Sequence, residues 1–190
     1  MPKQVWVGID PGKSGAVGAI RCDGAVEAWH TPTNTTRTKS PRAKTASGKP
    51  RIKTETKYDM PAMVELLSKF KKLSDKGYEV VVGIERQQQQ PRDSKQVVFQ
   101  VGRGQGLWEM ACAANGLEYA LIMPAVWKPR YVARGADKAA SKDACAKLYP
   151  KLDMPLVKDE ARAEATLIAD FVLRRDKEIP YPFEKTKKGS

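Results

Sequence analysis

The chain has 190 residues and a net charge of +12 at pH 7, from 34 Lys and Arg against 22 Asp and Glu. This length allows one full hydrophobic core and is too short for two comfortable domains, so we expect a single domain over residues 1–190. A strongly basic protein favours anionic partners, most commonly nucleic acids. With no secretory, transit or membrane-spanning pattern, we expect a soluble, cytoplasmic protein of a bacterium or a phage-infected host.

The histidine and cysteine content limits the chemistry. The only histidine is His30, and the cysteines Cys22, Cys112 and Cys145 stand far apart with no Cys-x-x-Cys pair. Zinc sites and mechanisms that need an imidazole are therefore disfavoured, and we expect His30 at the surface beside a loop. Carboxylates, lysines and metal-bound water remain as acid–base groups.

The first thirty residues predict three antiparallel strands. The apolar runs VWVGID, SGAVGAI and GAVEAWH are separated by the turn sequences DPGKSG and CDGA. Gly12-Lys13-Ser14 resembles the end of a nucleotide-binding P-loop, but the glycine required five residues earlier is Val7, so the match fails.

The segment from about residue 31 to 60 is rich in Thr, Lys, Arg and Pro and almost free of large apolar residues. Such a composition cannot build its own core, which predicts a flexible arm. Its positive charge suits an arm that lies along phosphates, although an ordinary solvated loop remains an alternative. The basic residues are Arg37, Lys39, Arg42, Lys44, Lys49, Arg51, Lys53 and Lys57.

The rest of the chain alternates between helix and strand patterns, which predicts an α/β fold with a mixed sheet flanked by helices. Gly102, Gly104 and Gly106 interrupt the second helix, where we expect them to let two helices approach closely, for instance across a dimer interface. The tail from about residue 177 to 190 is predicted to be flexible. The predicted elements are helix 61–77, strand 78–85, helix 95–116, strand 117–124, a basic connector, helix 139–150 and helix 158–175.

Two acids end apolar strands. Asp10 ends VWVGID, and Glu85 ends VVVGIE, the most apolar strand of the chain. Glutamate is a poor strand residue, and acids at the ends of adjacent central strands can share a metal ion. Asp10 alone could instead cap its turn.

Two further acids lie in the last helical stretch, KDEARAEATLIADF. Glu164 is predicted on or beside the buried face, where an unpaired glutamate would be costly. Asp159 could be a metal ligand or the cap of the helix, and Glu160 is the rival ligand. Asp170 is predicted to face solvent.

Four segments resemble the RuvC-type Holliday junction resolvases of the ribonuclease H-like superfamily, closest to the branch of bacteriophages and plant chloroplasts. They are GIDPGKSGA, VVGIE, the run from FQVGRGQG through MPAVWK to DKAASKDACAKLYP, and KDEARAEATLIA. The resemblance implies a five-stranded ribonuclease H-like sheet and an acidic tetrad of Asp10, Glu85, Asp159 and Glu164. The chain departs from the family pattern at Ala161, where a glycine is common, and after Glu85, where it has Arg86, Gln87–Gln90 and Arg92.

The resemblance further implies a Mg²⁺-dependent endonuclease of DNA recombination and repair. As a homodimer it would nick a four-way junction at two symmetric points. The tetrad would hold two Mg²⁺ ions per site, with Asp10 bridging them, and Mn²⁺ could substitute for Mg²⁺. Lys138 would touch the scissile phosphate or orient the nucleophile, and a general DNA contact is an equal alternative. The glutamine run is expected to face the junction centre, where a side chain near it or Phe99 would stack on a base. Expected phosphate contacts are Lys13, Lys128, Arg130, Arg134 and Lys142.

Two other functions remain open. A phosphotransferase of the actin and sugar-kinase type shares the strand–aspartate–turn pattern, but it would need a second Asp-x-Gly loop that the sequence lacks. A non-catalytic junction- or DNA-binding protein would use the basic arm and would leave the four acids unexplained.

Overall fold

The computed structural model describes residues 3–44, 50–89, 91–137, 139–156 and 159–182. Among them, no helix is both long and apolar enough to cross a membrane. The strands are β1 Gln4–Asp10, β2 Ala16–Arg21, β3 Val26–His30, β4 Thr33–Lys44, β5 Pro50–Tyr58, β6 Glu79–Glu85 and β7 Tyr119–Ile122. The helices are α1 Met60–Ser74, α2 Lys95–Ala114, α3 Pro124–Trp127, α4 Ala139–Leu148 and α5 Glu160–Asp176, with a short 3₁₀ helix at Lys128–Arg130.

Five strands form one mixed sheet in the order β3-β2-β1-β6-β7. β1, β2 and β3 pair antiparallel, whereas β1–β6 and β6–β7 pair parallel. The predicted mixed five-stranded sheet with flanking helices is confirmed. The parallel connections run through α1 and α2, which cover one face of the central strands, while α4 and α5 cover the other.

The two faces of the sheet carry separate apolar clusters, as the alternation along β1 requires. Val5, Val7 and Ile9 pack with residues of α1 and α2, among them Trp108. Trp6 points to the other face, where the cluster is built mainly from α4 and α5. The sheet is therefore the middle layer between two helical layers.

Two glycines let α5 lie directly on the sheet. A Cβ added to Gly8 in β1 would collide with backbone atoms of Ala165 and Ala169, and one added to Gly18 in β2 would lie 2.6 Å from the backbone nitrogen of Thr166. Only glycine permits this approach. It brings the first turns of α5 against the strand that ends at Asp10.

The segment predicted to be a flexible arm without its own core contains regular structure. β4 and β5 pair antiparallel from Thr33↔Tyr58 to Lys39↔Ile52 and form a separate two-stranded sheet. Threonine and isoleucine alternate with the charged residues, and such β-branched side chains favour extended backbone without needing a core. The mobility predicted for this arm stays a prediction, as does that of the tail, of which residues 183–190 lie outside the described part of the chain.

Asp170 is buried, contrary to the prediction that it faces solvent. It is 1% exposed and accepts hydrogen bonds from Tyr131 Oη at 2.7 Å and Arg174 Nε at 2.5 Å, and also from Tyr149 Oη. These donors replace water around the carboxylate, which makes its burial tolerable.

Candidate active site

Asp10 and Glu85 lie side by side at one edge of the sheet. β1 and β6 are parallel and pair up to Ile9↔Ile84, so the next residue in each strand is an acid. Asp10 begins the turn after β1, and its Oδ1 lies 3.4 Å from the Gly12 backbone nitrogen. The strand ends bring the two carboxylates together, as the sequence predicts.

Glu164 joins this edge from α5. Its Oε1 accepts hydrogen bonds from Lys128 Nζ at 2.5 Å and from Ser141 Oγ at 2.9 Å. The Glu164 side chain is 18% exposed and that of Lys128 is 43% exposed. We call Asp10, Glu85 and Glu164 the carboxylate cluster. Lys128 is its nearest described cation.

Electrostatic coupling shows that the three acids share one environment. Burial raises the pKa of Asp10 to about 6, and the Glu164 charge adds to the rise, although the Gly12 amide and Lys128 oppose it. Burial likewise raises the pKa of Glu85 to about 7, with a further rise from Asp10 and Glu164. The cluster therefore resists holding three negative charges unless cations are near.

Neighbouring groups fix the orientation of Glu85. Trp127 Nε1 donates to its Oε1 and Gln87 Nε2 to its Oε2, each at 3.1 Å. Trp127 is fully buried. The backbone nitrogen of Gln87 in turn donates to Gln105 Oε1 of α2 at 2.9 Å. Sequence reasoning missed Trp127, which holds Glu85, and Ser141, which donates to Glu164. Their only signal was a place in the segments that resemble the family.

Asp159 lies in a different cluster. Its Oδ1 is 3.2 Å from His30 Nε2 and 3.1 Å from Arg162 Nη1, and its Oδ2 accepts from the Leu156 backbone nitrogen at 2.8 Å. Burial acts to raise the pKa of Asp159, but the Leu156 and Arg162 hydrogen bonds outweigh it, so the pKa is lowered. Asp159 precedes α5 without capping it through its side chain. Neither Asp10 nor Glu85 has its pKa set by Asp159.

Glu160, the rival ligand, shares a cavity with Lys128, the cation beside Glu164. It lies one helical turn before Glu164 and therefore on the same side of α5. It lines a cavity of about 590 Å³ that Lys128 also lines, and another of about 700 Å³ beside Lys13 and His30. A cavity of about 650 Å³ between Asp23–Val26 and 148–152 involves none of these acids.

The donor set suits a hard divalent cation. Three carboxylates at one edge offer the oxygen ligands that Mg²⁺ prefers, and the raised pKa values of Asp10 and Glu85 indicate a site short of positive charge. In the described part of the chain, however, no group of three or more His, Cys, Asp or Glu side chains has the geometry to hold a metal. Lys128 Nζ contacts the Glu164 oxygen instead.

The expected phosphate contacts have varied surroundings. Lys13 lies 5.8 Å from the centre of the Tyr58 ring, Arg130 lies 5.1 Å from that of Tyr181, and Lys142 donates to the Leu156 carbonyl at 3.1 Å. Lys138, predicted as a catalytic residue, lies outside the described residues. Its role stays a prediction.

Gly104 has a role that differs from the predicted helix–helix contact. A Cβ there would collide with Tyr58 Oη and would lie 2.6 Å from the Pro11 carbonyl oxygen, whereas none at Gly102 or Gly106 would meet an atom within 4 Å. Gly104 thus allows Tyr58, at the end of β5, to pack against the turn that follows Asp10.

Comparisons with known proteins give the fold. No protein-family model matches the chain, and no curated protein matches it in sequence. Among solved structures, Thermus thermophilus RuvC is similar at 16% identity and a TM-score of 0.54, over 94% of this chain and 99% of that one. T. thermophilus RuvC in complex with a Holliday junction substrate is similar at 16% identity and a TM-score of 0.51, over 95% and 99% of the two chains. The chain therefore has the fold of the RuvC-type resolvases.

Proposed function

We propose that this protein is a metal-dependent endonuclease that resolves four-way DNA junctions by paired symmetric nicks. The observation that carries the proposal is the carboxylate cluster, where Asp10, Glu85 and Glu164 converge at one sheet edge and burial raises the pKa of Asp10 and of Glu85. Its support is the fold shared with RuvC, one structure of which contains a Holliday junction substrate. The net charge of +12 fits a polyanionic substrate.

Asp10, Glu85 and Glu164 would hold Mg²⁺, with Mn²⁺ as a substitute, and Asp10 would be the ligand shared by two ions. Bound Mg²⁺ would supply an activated water and stabilise the leaving 3′ oxygen of an in-line displacement. The fourth ligand would be Asp159 or Glu160. Replacing each with its amide separates the two: the true ligand's variant requires a higher Mg²⁺ concentration for half-maximal cleavage, and the other variant does not.

The chain's own residues prepare the site. Trp127 and Gln87 hold the two oxygens of Glu85, so this carboxylate keeps one orientation. Lys128 supplies positive charge to all three acids. Partial burial lowers its pKa, but Glu164, Glu85 and Asp10 raise it by more, so Lys128 stays charged beside them. When DNA enters, Lys128 is near enough to the cluster to contact a phosphate in place of Glu164.

The homodimer that symmetric cleavage requires would use α2. Met110 is 65% exposed, and Gly106 lies about one turn before it on the same side of the helix. Large exposed apolar side chains beside a small residue favour close packing against a second copy. Sedimentation of the wild type against Met110→Lys would test this, since a dimer through α2 dissociates in the variant.

A non-catalytic DNA-binding protein is the second candidate. The observation that favours it is the Lys128–Glu164 ion pair, which satisfies one of the acids without a metal. A DNA-binding role alone does not explain why the buried acids Asp10 and Glu85 lie at this edge, because acids without nearby cations repel DNA.

The test is cleavage of a labelled four-way junction with Mg²⁺, compared with linear duplex of the same sequence and with an EDTA control. We expect nicks in the junction alone and none in EDTA. Junction binding without Mg²⁺-dependent nicks would favour the second candidate, and equal cutting of duplex would contradict structure selectivity.

A further inference from the structure

The two faces of the β4–β5 hairpin differ in charge. Residues paired across an antiparallel ladder lie on the same face, and successive residues alternate. We call the face built from the pairs Thr35–Thr56, Arg37–Thr54 and Lys39–Ile52 the inner face. The outer face is built from the pairs Asn34–Lys57, Thr36–Glu55 and Thr38–Lys53.

The inner face carries two cations and no acid. Arg37 and Lys39 are exposed, and the described residues give neither of them an ion pair. The uncharged residues between them include Ile52, which is 62% exposed. Nothing on this face repels a phosphate.

The outer face has an acid that offsets its charge. Lys57 Nζ lies 3.5 Å from Glu55 Oε1, and these side chains are 64% and 50% exposed. Lys53 is the other cation among these three pairs. Within the pairs that define the two faces, each face has two cations and the outer face has one more negative charge, which makes the inner face the better match for DNA.

The inner face is also the one turned towards the carboxylate cluster. Tyr58 continues this face at the root of the hairpin, because it lies two residues beyond Thr56 in β5. Tyr58 is 8% exposed, and its Oη donates to the Pro11 carbonyl oxygen at 3.4 Å. Burial raises the pKa of Tyr58, and the charge of Asp10 adds to the rise, which places the ring beside the cluster.

We propose that the inner face of the hairpin binds the sugar–phosphate backbone of a duplex arm that leads away from the cleavage point. The inference rests on the proposed function, because it assumes that DNA lies across the carboxylate cluster. From Thr33 to Lys39 the strand advances by about 20 Å, roughly six base pairs of duplex. Arg37 and Lys39 therefore contact phosphates several base pairs from the scissile one. They contribute to affinity and not to chemistry.

Two matched double variants test this. Arg37→Gln with Lys39→Gln removes the inner cations, and Lys53→Gln with Lys57→Gln removes the outer ones, so both lose two positive charges. Binding is measured by fluorescence anisotropy in EDTA, on a four-way junction and on linear duplex, over a series of salt concentrations. Circular dichroism melting of both variants checks the fold. If the inner double variant does not fold, the single Arg37→Gln and Lys39→Gln variants are measured instead.

We expect the inner variant to lower the slope of log K against log salt by about 1.8, because each phosphate contact contributes about 0.9. The same relation gives a loss of up to about 60-fold in affinity at 0.1 M salt. The loss of affinity in the outer variant should be less than a tenth of the loss in the inner variant. The cleavage rate at saturating enzyme should be unchanged in both. Equal losses in the two variants, or a larger loss in the outer one, would overturn the inference.

The outcomes separate this inference from the proposed function. If the parent protein nicks junctions and the two variants bind alike, the hairpin inference fails and the proposed function stands. If the parent neither prefers nor nicks junctions, the proposed function fails. In that case the salt slopes on linear duplex still decide whether the inner face binds DNA.

Discussion

Replacing Asp10 with asparagine should stabilise the metal-free protein. The pKa of Asp10 rises from 3.8 to about 6 in the folded state, and one pKa unit corresponds to about 1.4 kcal/mol. Ionising this carboxyl in the fold therefore costs at most about 3 kcal/mol, a cost that Asp10→Asn removes. For a chain of this size, the gain raises Tm by up to roughly 6–12 °C.

The pH dependence gives the sign of this effect. Because the folded pKa is raised, the folded state binds more protons than the unfolded state between pH 3.8 and about 6. Wild-type stability therefore falls as pH rises through this window, and the cost is complete above it. The stabilisation by Asp10→Asn should be full at pH 8 and mostly lost at pH 4.

Differential scanning calorimetry in EDTA at pH 8 and pH 4 measures this difference. Asp75→Asn is a suitable control, because Asp75 is an exposed acid at the end of α1 with Lys71 as its partner. Added Mg²⁺ should raise Tm of the wild type at pH 8 more than that of Asp10→Asn. A lower Tm for Asp10→Asn at pH 8, or an equal gain at both pH values, would refute the reasoning.

Three further predictions concern packing and substrate contact. Asp170→Ala leaves the partly buried Arg174 charge without its carboxylate and should lower the free energy of unfolding by about 3–5 kcal/mol in urea titrations. A loss under about 1 kcal/mol would contradict the network around Asp170. In Gly104→Ala the added methyl group collides with Tyr58 and should destabilise the protein by about 1–3 kcal/mol. In Gly102→Ala the methyl group meets no atom and should stabilise the protein by up to about 1 kcal/mol. A change of the same sign in both variants would be inconsistent with the packing. Phe99→Ala should change the preferred cleavage sequence if this ring stacks on a base, and an unchanged nick map would exclude that contact.

The sequence predicts the sheet because the residues that mark each strand lie within the strand or directly next to it. Apolar runs rich in β-branched residues mark β1 and β6, and an acid directly after each run must lie at the strand end. The neighbouring positions of Asp10 and Glu85 then follow from the parallel order of the strands. Glu164 followed from its apolar neighbours on α5.

Other features depend on contacts between distant residues. The partners of Asp170 include Tyr131 and Tyr149, which are 39 and 21 positions away, so no local pattern reveals its burial. The hairpin was missed because its composition indicates a lack of core, while its strands are stabilised by pairing with one another. Asp159 and Glu164 lie in different clusters because of helix geometry. Residues four apart, such as Glu160 and Glu164, share one side of a helix, whereas residues five apart, such as Asp159 and Glu164, do not.

Cleavage by Asp10→Asn tests the central claim, that the carboxylate cluster cuts junction DNA, most directly. Nicks are mapped on all four labelled strands of one junction in Mg²⁺, and binding of the same junction is measured for both proteins. The account predicts symmetric nicks in two strands for the wild type and, for Asp10→Asn, at least a 100-fold slower reaction with binding retained. Undiminished nicking by Asp10→Asn would contradict the claim.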